Sequence, residues 1–158
     1  GDLMWSKIKP YVVAVAIPLA VGAVAGWLTK DSFAQYMTLR MPALSPPPWL
    51  FPVVWTILYV LMGLGSARIA LAEGSGRSAA LRLYGWQLAV NFAWPLLFFR
   101  WQLRMLSLFW LMLLVVLIVG MIKRFAALDK WAAYGQIPYL LWSLFALYLN
   151  AAVWWLNR

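Results

Sequence analysis

Residues 45–65 read SPPPWLFPVVWTILYVLMGLG and place three consecutive prolines directly before a long apolar run. Proline costs little in the first turn of a helix, because the N–H that it lacks would be unpaired there anyway. Pro46 to Pro48 therefore predict a rigid extended lead-in, and Pro52 fits the first turn of the helix that follows. Two interpretations stay open: a helix start stiffened by proline, or a strut that holds the preceding loop over the mouth of a helix bundle as a lid.

The composition is that of a membrane protein. The 158-residue chain is 66% hydrophobic and 11% charged, whereas soluble proteins average roughly 45–50% apolar and about 25% charged. This composition predicts an integral, multi-pass protein surrounded by membrane lipid. The net charge of +9 comes from basic residues between the apolar runs, which favours lipid headgroups over nucleic acid as their partner. With no cysteine and no histidine, disulfides are excluded and no metal site is expected.

Five runs reach the length of about 20 mostly apolar residues that a spanning helix needs. The sequence predicts an all-α bundle of five transmembrane helices, a single domain over residues 1–158, and no cleavable signal peptide. The first connection, about 30–47, is the only long one, and its DSFAQYMTLRMP segment predicts a short helix that ends before Pro42. Lys and Arg are more frequent on the N-terminal side, which favours a cytoplasmic N-terminus. The predicted spans are about 10–29, 48–69, 80–100, 104–123 and 131–156.

Amide and aromatic side chains share single faces of three predicted helices, since residues three, four and seven apart lie together on a helix. Amides in lipid need partners and point inward, and flat indole walls beside them suit a planar ligand. Two alternatives stay open: packing for the deep tryptophans, and bridging between helices for Asn91 and Asn150. The faces are Trp55, Tyr59, Met62 and Ser66 in the second span, Gln87, Asn91, Trp94 and Phe98 in the third, and Trp142, Ala146, Asn150 and Trp154 in the fifth.

The missing residue types exclude several function classes. Proton-coupled transporters usually carry an intramembrane carboxylate or histidine, and the predicted spans carry neither in their central parts. A tightly ligated haem site lacks its usual histidine and cysteine ligands. Binding of a planar molecule by stacking survives these exclusions. Gly22 and Gly26 form a small-xxx-small pattern, which permits close helix contact either across a dimer or within the monomer.

Three segments in order, SPPPWLFPVVWTILYVLMG, LAVNFAWPLLFF and PYLLWSLFALYLN, resemble the TspO/MBR family. These are the tryptophan-rich sensory proteins whose mitochondrial members are called translocator protein or peripheral-type benzodiazepine receptor. The resemblance implies a homodimeric five-helix bundle that binds porphyrins such as protoporphyrin IX and haem, and also sterols, lipid and benzodiazepine-type drugs, beneath the first loop. It implies a sensory or regulatory role in tetrapyrrole metabolism and stress. It also implies that the protein requires no cofactor. The membrane is bacterial for a bacterial member and the mitochondrial outer membrane for eukaryotic relatives.

The resemblance also implies site residues. The family's paired tryptophans correspond to Trp55 and Trp142, which in some bacterial members are linked to light-dependent porphyrin breakdown. Trp55 and Trp142 are therefore the candidate catalytic residues of a porphyrin-degrading enzyme, and transport of porphyrin or sterol is the other alternative. Joined to the helix faces, the resemblance predicts a set of ligand-binding residues: Tyr36, Trp55, Tyr59, Gln87, Asn91, Trp94, Trp142, Ala146 and Asn150.

The first loop departs from the family pattern. Many relatives read Trp-Tyr-Asp and then Lys/Arg-Pro-x-Trp-x-Pro-Pro. This chain has Met37 in place of the acid and Leu44 in place of the second Trp, so the usual contacts of the lid are missing and ligand preference is open to change. Pro95, directly after Trp94, is expected to kink the third span.

Overall fold

The computed structural model describes every residue from Gly1 to Arg158 and contains only helices. The predicted all-α class is confirmed, and five of the helices are long. The predicted span at 131–156 is divided into a short and a long helix at Gly135 and Gln136. The helices are α1 (Asp2–Tyr36), α2 (Leu50–Leu71), α3 (Arg77–Pro95), α4 (Arg104–Ala126), α5 (Lys130–Tyr134) and α6 (Ile137–Leu156), and a π-helical turn at Leu96–Arg100 follows α3.

Four segments are long and apolar enough to cross a membrane, which makes the chain an integral multi-pass membrane protein. Large apolar side chains cover their outer surfaces, as lipid requires. Helix α3 is not among the four, because Arg82, Gln87 and Asn91 make it more polar than the others. The four are Asp2–Tyr36, Leu50–Leu71, Arg104–Ala126 and Lys130–Leu156.

One predicted element is wrong. The separate short helix within residues 31–42 does not form, because residues 31–36 continue α1 without a break. Helix α1 extends beyond the predicted span of about 10–29 at both ends, and Pro10 and Pro18 lie inside it. The expected disruption at Pro95 is confirmed, since the α-helix gives way there to the π-helical turn. Proline has no N–H to continue the ladder, and π turns are one of the known causes of a kink.

Glycine brings α1 and α2 into backbone contact. A Cβ at Gly63 would collide with the backbone of Val15, and one at Gly22 would overlap the ring of Tyr59. The first glycine of the Gly22-xxx-Gly26 pattern therefore serves packing within one chain. Gly26 differs, because no heavy atom lies within 4 Å of the position that its Cβ would take.

The first loop, residues 37–49, is docked on the end of α6. The backbone N–H of Arg40 donates to the side-chain oxygen of Asn157 at 2.9 Å, and Nδ2 of Asn157 donates back to the carbonyl of Arg40 at 2.9 Å. The Tyr148 hydroxyl donates to the Ala43 carbonyl at 2.6 Å. Leu44, where relatives often carry Trp, is 80% exposed and has a φ of 68°. Residues 45–47 have no regular structure, Pro48 and Trp49 form a turn, and α2 begins at Leu50, which places Pro52 in its first turn as predicted.

Asp129 joins the turn between α4 and α5 to α2. One carboxylate oxygen accepts the N–H groups of Trp131 and Ala132 at 2.9 and 3.2 Å and caps α5, and the other accepts Nε of Arg68 at 2.8 Å. Desolvation raises the pKa of this carboxyl group, but the Ala132 N–H, the Arg68 guanidinium and the Trp131 N–H together outweigh it. The pKa of Asp129 therefore lies below its ordinary value.

We expect Gly63→Ala to lower the free energy of unfolding by about 1–3 kcal/mol, the usual cost of extra volume in a packed core. The added methyl group meets the backbone of α1, which cannot rotate away as a side chain could. Thermal unfolding in detergent micelles measures the effect. Gly85→Ala is the matched control, because Gly85 lies in a helix with open space around its Cβ position. Equal unfolding temperatures for the two variants would contradict the contact.

We expect acid to remove the contribution of Asp129 to stability. A carboxyl group whose folded pKa is lowered stabilises the fold above its unfolded pKa, and this stabilisation is lost as the pH falls through the folded pKa. Asp129→Asn keeps a side chain that caps helices well but cannot titrate, so its stability should fall less over the same pH range. Unfolding temperatures of both proteins, measured from neutral pH to below the ordinary aspartate pKa, make the comparison. Parallel curves for the two proteins would rule out this role for Asp129.

Candidate functional site

A cavity of ≈ 480 Å³ lies among the helices, toward the end of α1 that leads into the first loop. Its volume falls within the range of about 300–1,000 Å³ that is typical of small-molecule sites. Helices α1, α2 and α6, the last turn of α3 and the π-helical turn form its wall, with Leu114 contributed by α4. No acidic or basic side chain lines it. The cavity can therefore bind an apolar molecule through van der Waals contacts alone.

The structure brings eight of the nine predicted ligand-binding residues to this cavity. The ninth, Gln87, is fully buried one turn deeper on α3 and does not line it. The face of α3 was predicted correctly as inward, but the position of Gln87 along the helix places its amide between helices. The eight that line the cavity are Tyr36, Trp55, Tyr59, Asn91, Trp94, Trp142, Ala146 and Asn150.

The sequence did not predict the part of the wall that α1 supplies. Its residues are small or apolar and carry no chemical signal of a ligand site, and only the glycine pattern indicated a special surface. None of residues 37–49 lines the cavity, so a lid formed by the first loop is not confirmed. The α1 residues are Leu19, Gly22, Ala23, Ala25, Gly26, Thr29 and Phe33, besides the predicted Tyr36.

Neighbouring rings hold the three deep tryptophans. Trp55 is stacked on Tyr59, with 5.7 Å between ring centroids and 29° between planes. Trp94 is stacked on Phe98 at 5.2 Å and 18°. Trp142 lies edge-on to a phenylalanine of α2 at 6.0 Å. Packing in these pairs orients the indole faces, which are the surfaces that a flat ligand would stack on.

A chain of hydrogen bonds fixes the amide of Asn91. The Tyr59 hydroxyl donates to its oxygen at 2.9 Å, and its nitrogen donates to the Tyr139 hydroxyl at 2.8 Å. The Tyr139 hydroxyl then donates to the oxygen of Gln87 at 2.7 Å. These bonds join α2, α3 and α6 at one level of the bundle. Asn91 therefore bridges helices, one of the two roles left open by its sequence.

Asn150 forms a second junction nearer the first loop. Its oxygen accepts the indole N–H of Trp94 at 3.0 Å and the hydroxyl of Ser107 at 3.1 Å, and its nitrogen donates to the carbonyl of Arg104 at 2.9 Å. The junction joins α3, α4 and α6. Like Asn91, Asn150 borders the cavity with an amide whose groups already have partners within the protein.

Trp142, a residue of the wall, has a buried polar group without a partner. Its indole N–H is buried and has no hydrogen-bond partner. An unpaired buried donor costs about 1–3 kcal/mol, so an acceptor on a ligand would remove this penalty. The N–H of Trp94 differs, because Asn150 already accepts it. Trp142 can therefore stack on a ligand, and a turn of its indole would bring the buried N–H to a ligand acceptor.

Known proteins resemble this chain along nearly its whole length. The sequence profile of the TspO/MBR family matches residues 14–156. The tryptophan-rich sensory protein of Cereibacter sphaeroides is 35% identical over 156 residues, which are 99% of this chain and 94% of that protein. The tryptophan-rich protein TspO of Chlorobaculum tepidum is 35% identical over 158 residues, covering 98% and 99% of the two chains.

A eukaryotic relative matches at similar identity. The translocator protein of Bos taurus is 34% identical over 160 residues, covering 94% of this chain and 92% of that protein. These bacterial and mammalian alignments cover 99% and 94% of this chain. The protein belongs to the TspO/MBR family.

Proposed function

We propose that this protein binds a planar tetrapyrrole, such as protoporphyrin IX or haem, and acts as a sensor or regulator of tetrapyrrole metabolism. The observation that carries the proposal is a cavity bordered by Trp55, Trp94 and Trp142 in which the N–H of Trp142 lacks a partner. Flat aromatic faces suit a flat ring system, and the free donor suits a ligand that brings acceptors. The name of one bacterial relative, tryptophan-rich sensory protein, agrees with such a role.

Positive charge at one end of the cavity favours a ligand with carboxylates. Arg100 donates to the Leu28 carbonyl at 3.4 Å and Arg104 to the side chain of Gln35 at 3.1 Å, which places both cations beside the end of α1. Lys30 and Arg40 lie in the same region of the chain, and Asp31 is the one acid among them. A tetrapyrrole could bury its ring while its carboxylates stay near these cations, whereas a neutral sterol has no charge that would be attracted to them.

We infer that α3 is the fifth membrane span, although it is more polar than the others. It has 19 residues, close to the length that crosses a bilayer. Gln87 and Asn91 are buried and hydrogen-bonded to neighbouring helices, so they do not face lipid. Closure of the cavity by the first loop and assembly into a homodimer stay predictions.

We expect protoporphyrin IX, titrated into the protein in detergent, to quench tryptophan fluorescence in a saturable manner. Trp142→Phe should raise Kd about fivefold, because it removes a neutral hydrogen bond worth about 1 kcal/mol. Trp55→Phe reduces stacking area and should also weaken binding. Trp86→Phe is the matched control, since Trp86 is exposed on α3 away from the cavity. No saturable quenching, or the same Kd in all three variants, would refute the proposal.

A second candidate function is light-dependent oxidation of the bound porphyrin, with Trp55 as the residue that reacts. It is favoured by the stack of Trp55 on Tyr59, whose hydroxyl proton has an acceptor in Asn91 at 2.9 Å. Tyr59 can transfer an electron to an oxidised Trp55, because the two rings are stacked. Its hydroxyl proton remains in the hydrogen bond to Asn91.

We expect illumination of the complex in oxygen to remove the porphyrin Soret band and to yield one defined product by mass spectrometry. Trp55→Phe should slow this loss to the rate of free porphyrin, while Trp86→Phe keeps the wild-type rate. Bleaching of the wild-type complex at the rate of free porphyrin would exclude this activity and leave the binding proposal intact.

A further inference from the structure

The cavity has exposed residues on two helices only. Of the residues that line it, those from α3, α4, α6 and the π-helical turn are buried or half-buried. The exposed ones are Ala23 and Gly26 on α1 and Pro52 and Thr56 on α2. Each pair is three or four residues apart, so each lies on one helix face. The cavity therefore opens to the outside of the bundle between α1 and α2.

The packing register of α1 and α2 places these residues opposite one another. The helices are antiparallel, and Gly63 packs on Val15 while Gly22 packs on Tyr59. One turn further toward the first loop, the same register brings Gly26 level with the first turns of α2. The close contact ends there, since nothing lies within 4 Å of the Cβ position of Gly26. Helices α1 and α2 are therefore in contact near Gly22 and Gly63 and are separated near Gly26.

The surroundings of the gap are apolar. Exposed large side chains border it on both helices: Val24 and Trp27 on α1, and Val53 and Ile57 on α2. Such a surface faces lipid rather than water in a membrane-spanning bundle. Lys30 lies one turn beyond Gly26, with its ammonium group 5.2 Å from the centroid of the Trp27 ring. A tryptophan and a lysine together mark the level of the headgroups.

We propose that this gap is the passage through which the planar ligand moves between the bilayer and the cavity, and that Gly26 sets its width. The inference rests on the proposed function, and it takes the ligand to be an amphiphile dissolved in the membrane. Its apolar ring passes between α1 and α2 while its anionic group stays at headgroup level near Lys30. A path from water past the first loop would instead break the bonds that Asn157 and Tyr148 make to that loop.

Helix packing does not explain glycine at position 26. Glycine in a helix interior costs about 1 kcal/mol relative to alanine, and at Gly22 and Gly63 the close approach of α2 accounts for this cost. At Gly26 the neighbouring space is empty. A side chain would project into the opening of the cavity, which any ligand on this path must cross. The passage therefore requires a residue without a side chain at position 26.

The test measures binding rates in lipid nanodiscs. Protoporphyrin IX is mixed with wild type, Gly26→Leu and Gly85→Leu, and association and dissociation are followed by tryptophan quenching. Gly85 is the matched control, because it is a helix glycine with open space that lies away from the cavity. We expect Gly26→Leu to slow both association and dissociation about tenfold, equal to about 1.4 kcal/mol on the barrier. Gly85→Leu should behave as wild type.

Two kinetic outcomes would overturn the passage. Unchanged rates in Gly26→Leu would show that the ligand takes another path. Slower association with unchanged dissociation, and hence a weaker Kd, would show that the leucine occupies the bound ligand's place. A wild-type protein without saturable binding would overturn the proposed function instead.

A spin label tests the opening without any ligand, because the chain has no cysteine besides the one introduced by Gly26→Cys. In nanodiscs, lipid-soluble oxygen should relax this label strongly and a water-soluble nickel chelate should not. A label relaxed by the chelate more than by oxygen would place the opening in water and overturn the passage.

Discussion

The structure depends on one constraint: polar side chains buried in a bundle that lipid surrounds must find partners inside the protein. Helix α3 carries polar side chains that satisfy this constraint. Asn91 binds tyrosines of α2 and α6, and Trp94 binds Asn150 of α6, which also holds α4. These bonds fix α3 between its neighbours. They also fix the aromatic rings beside them, so the wall of the cavity is set by hydrogen bonds as well as by packing.

The cavity exists because α1 and α2 are packed unequally along their length. In one half of the bundle, Gly63 lets α2 touch the backbone of α1 and Gly22 makes room for the ring of Tyr59. In the other half no heavy atom lies within 4 Å of the Cβ position of Gly26, and this residue lines the cavity together with the aromatic side chains of α2. The same helix pair thus closes one end of the bundle and opens the other. The half with the cavity is also the end that holds Arg100 and Arg104, which gives the apolar cavity a cationic edge.

Composition and periodicity were sufficient to predict the helical membrane fold and the inward faces, because both follow from the burial of apolar and amide groups. The resemblance to the family added Tyr36, which no periodic signal singles out, and it marked Ala146 as a site residue among those on the periodic face of the fifth span. Gln87 shares the predicted face but lies outside the cavity, because a shared helix face does not specify depth along the helix. The α1 wall was missed because small residues that line a space are identical in sequence to small residues that permit packing. The continuation of α1 through residue 36 was missed because lipid length alone does not end a helix.

The most direct test is a structure of the protein in nanodiscs with bound protoporphyrin IX. We expect the macrocycle to lie in the cavity between Trp55 and Trp142, with a ligand acceptor about 3 Å from the indole nitrogen of Trp142, the usual N–H···O distance. The carboxylates should lie toward the Lys30 end of α1. A macrocycle bound on the lipid-facing surface, with the cavity holding no porphyrin, would contradict the central claim.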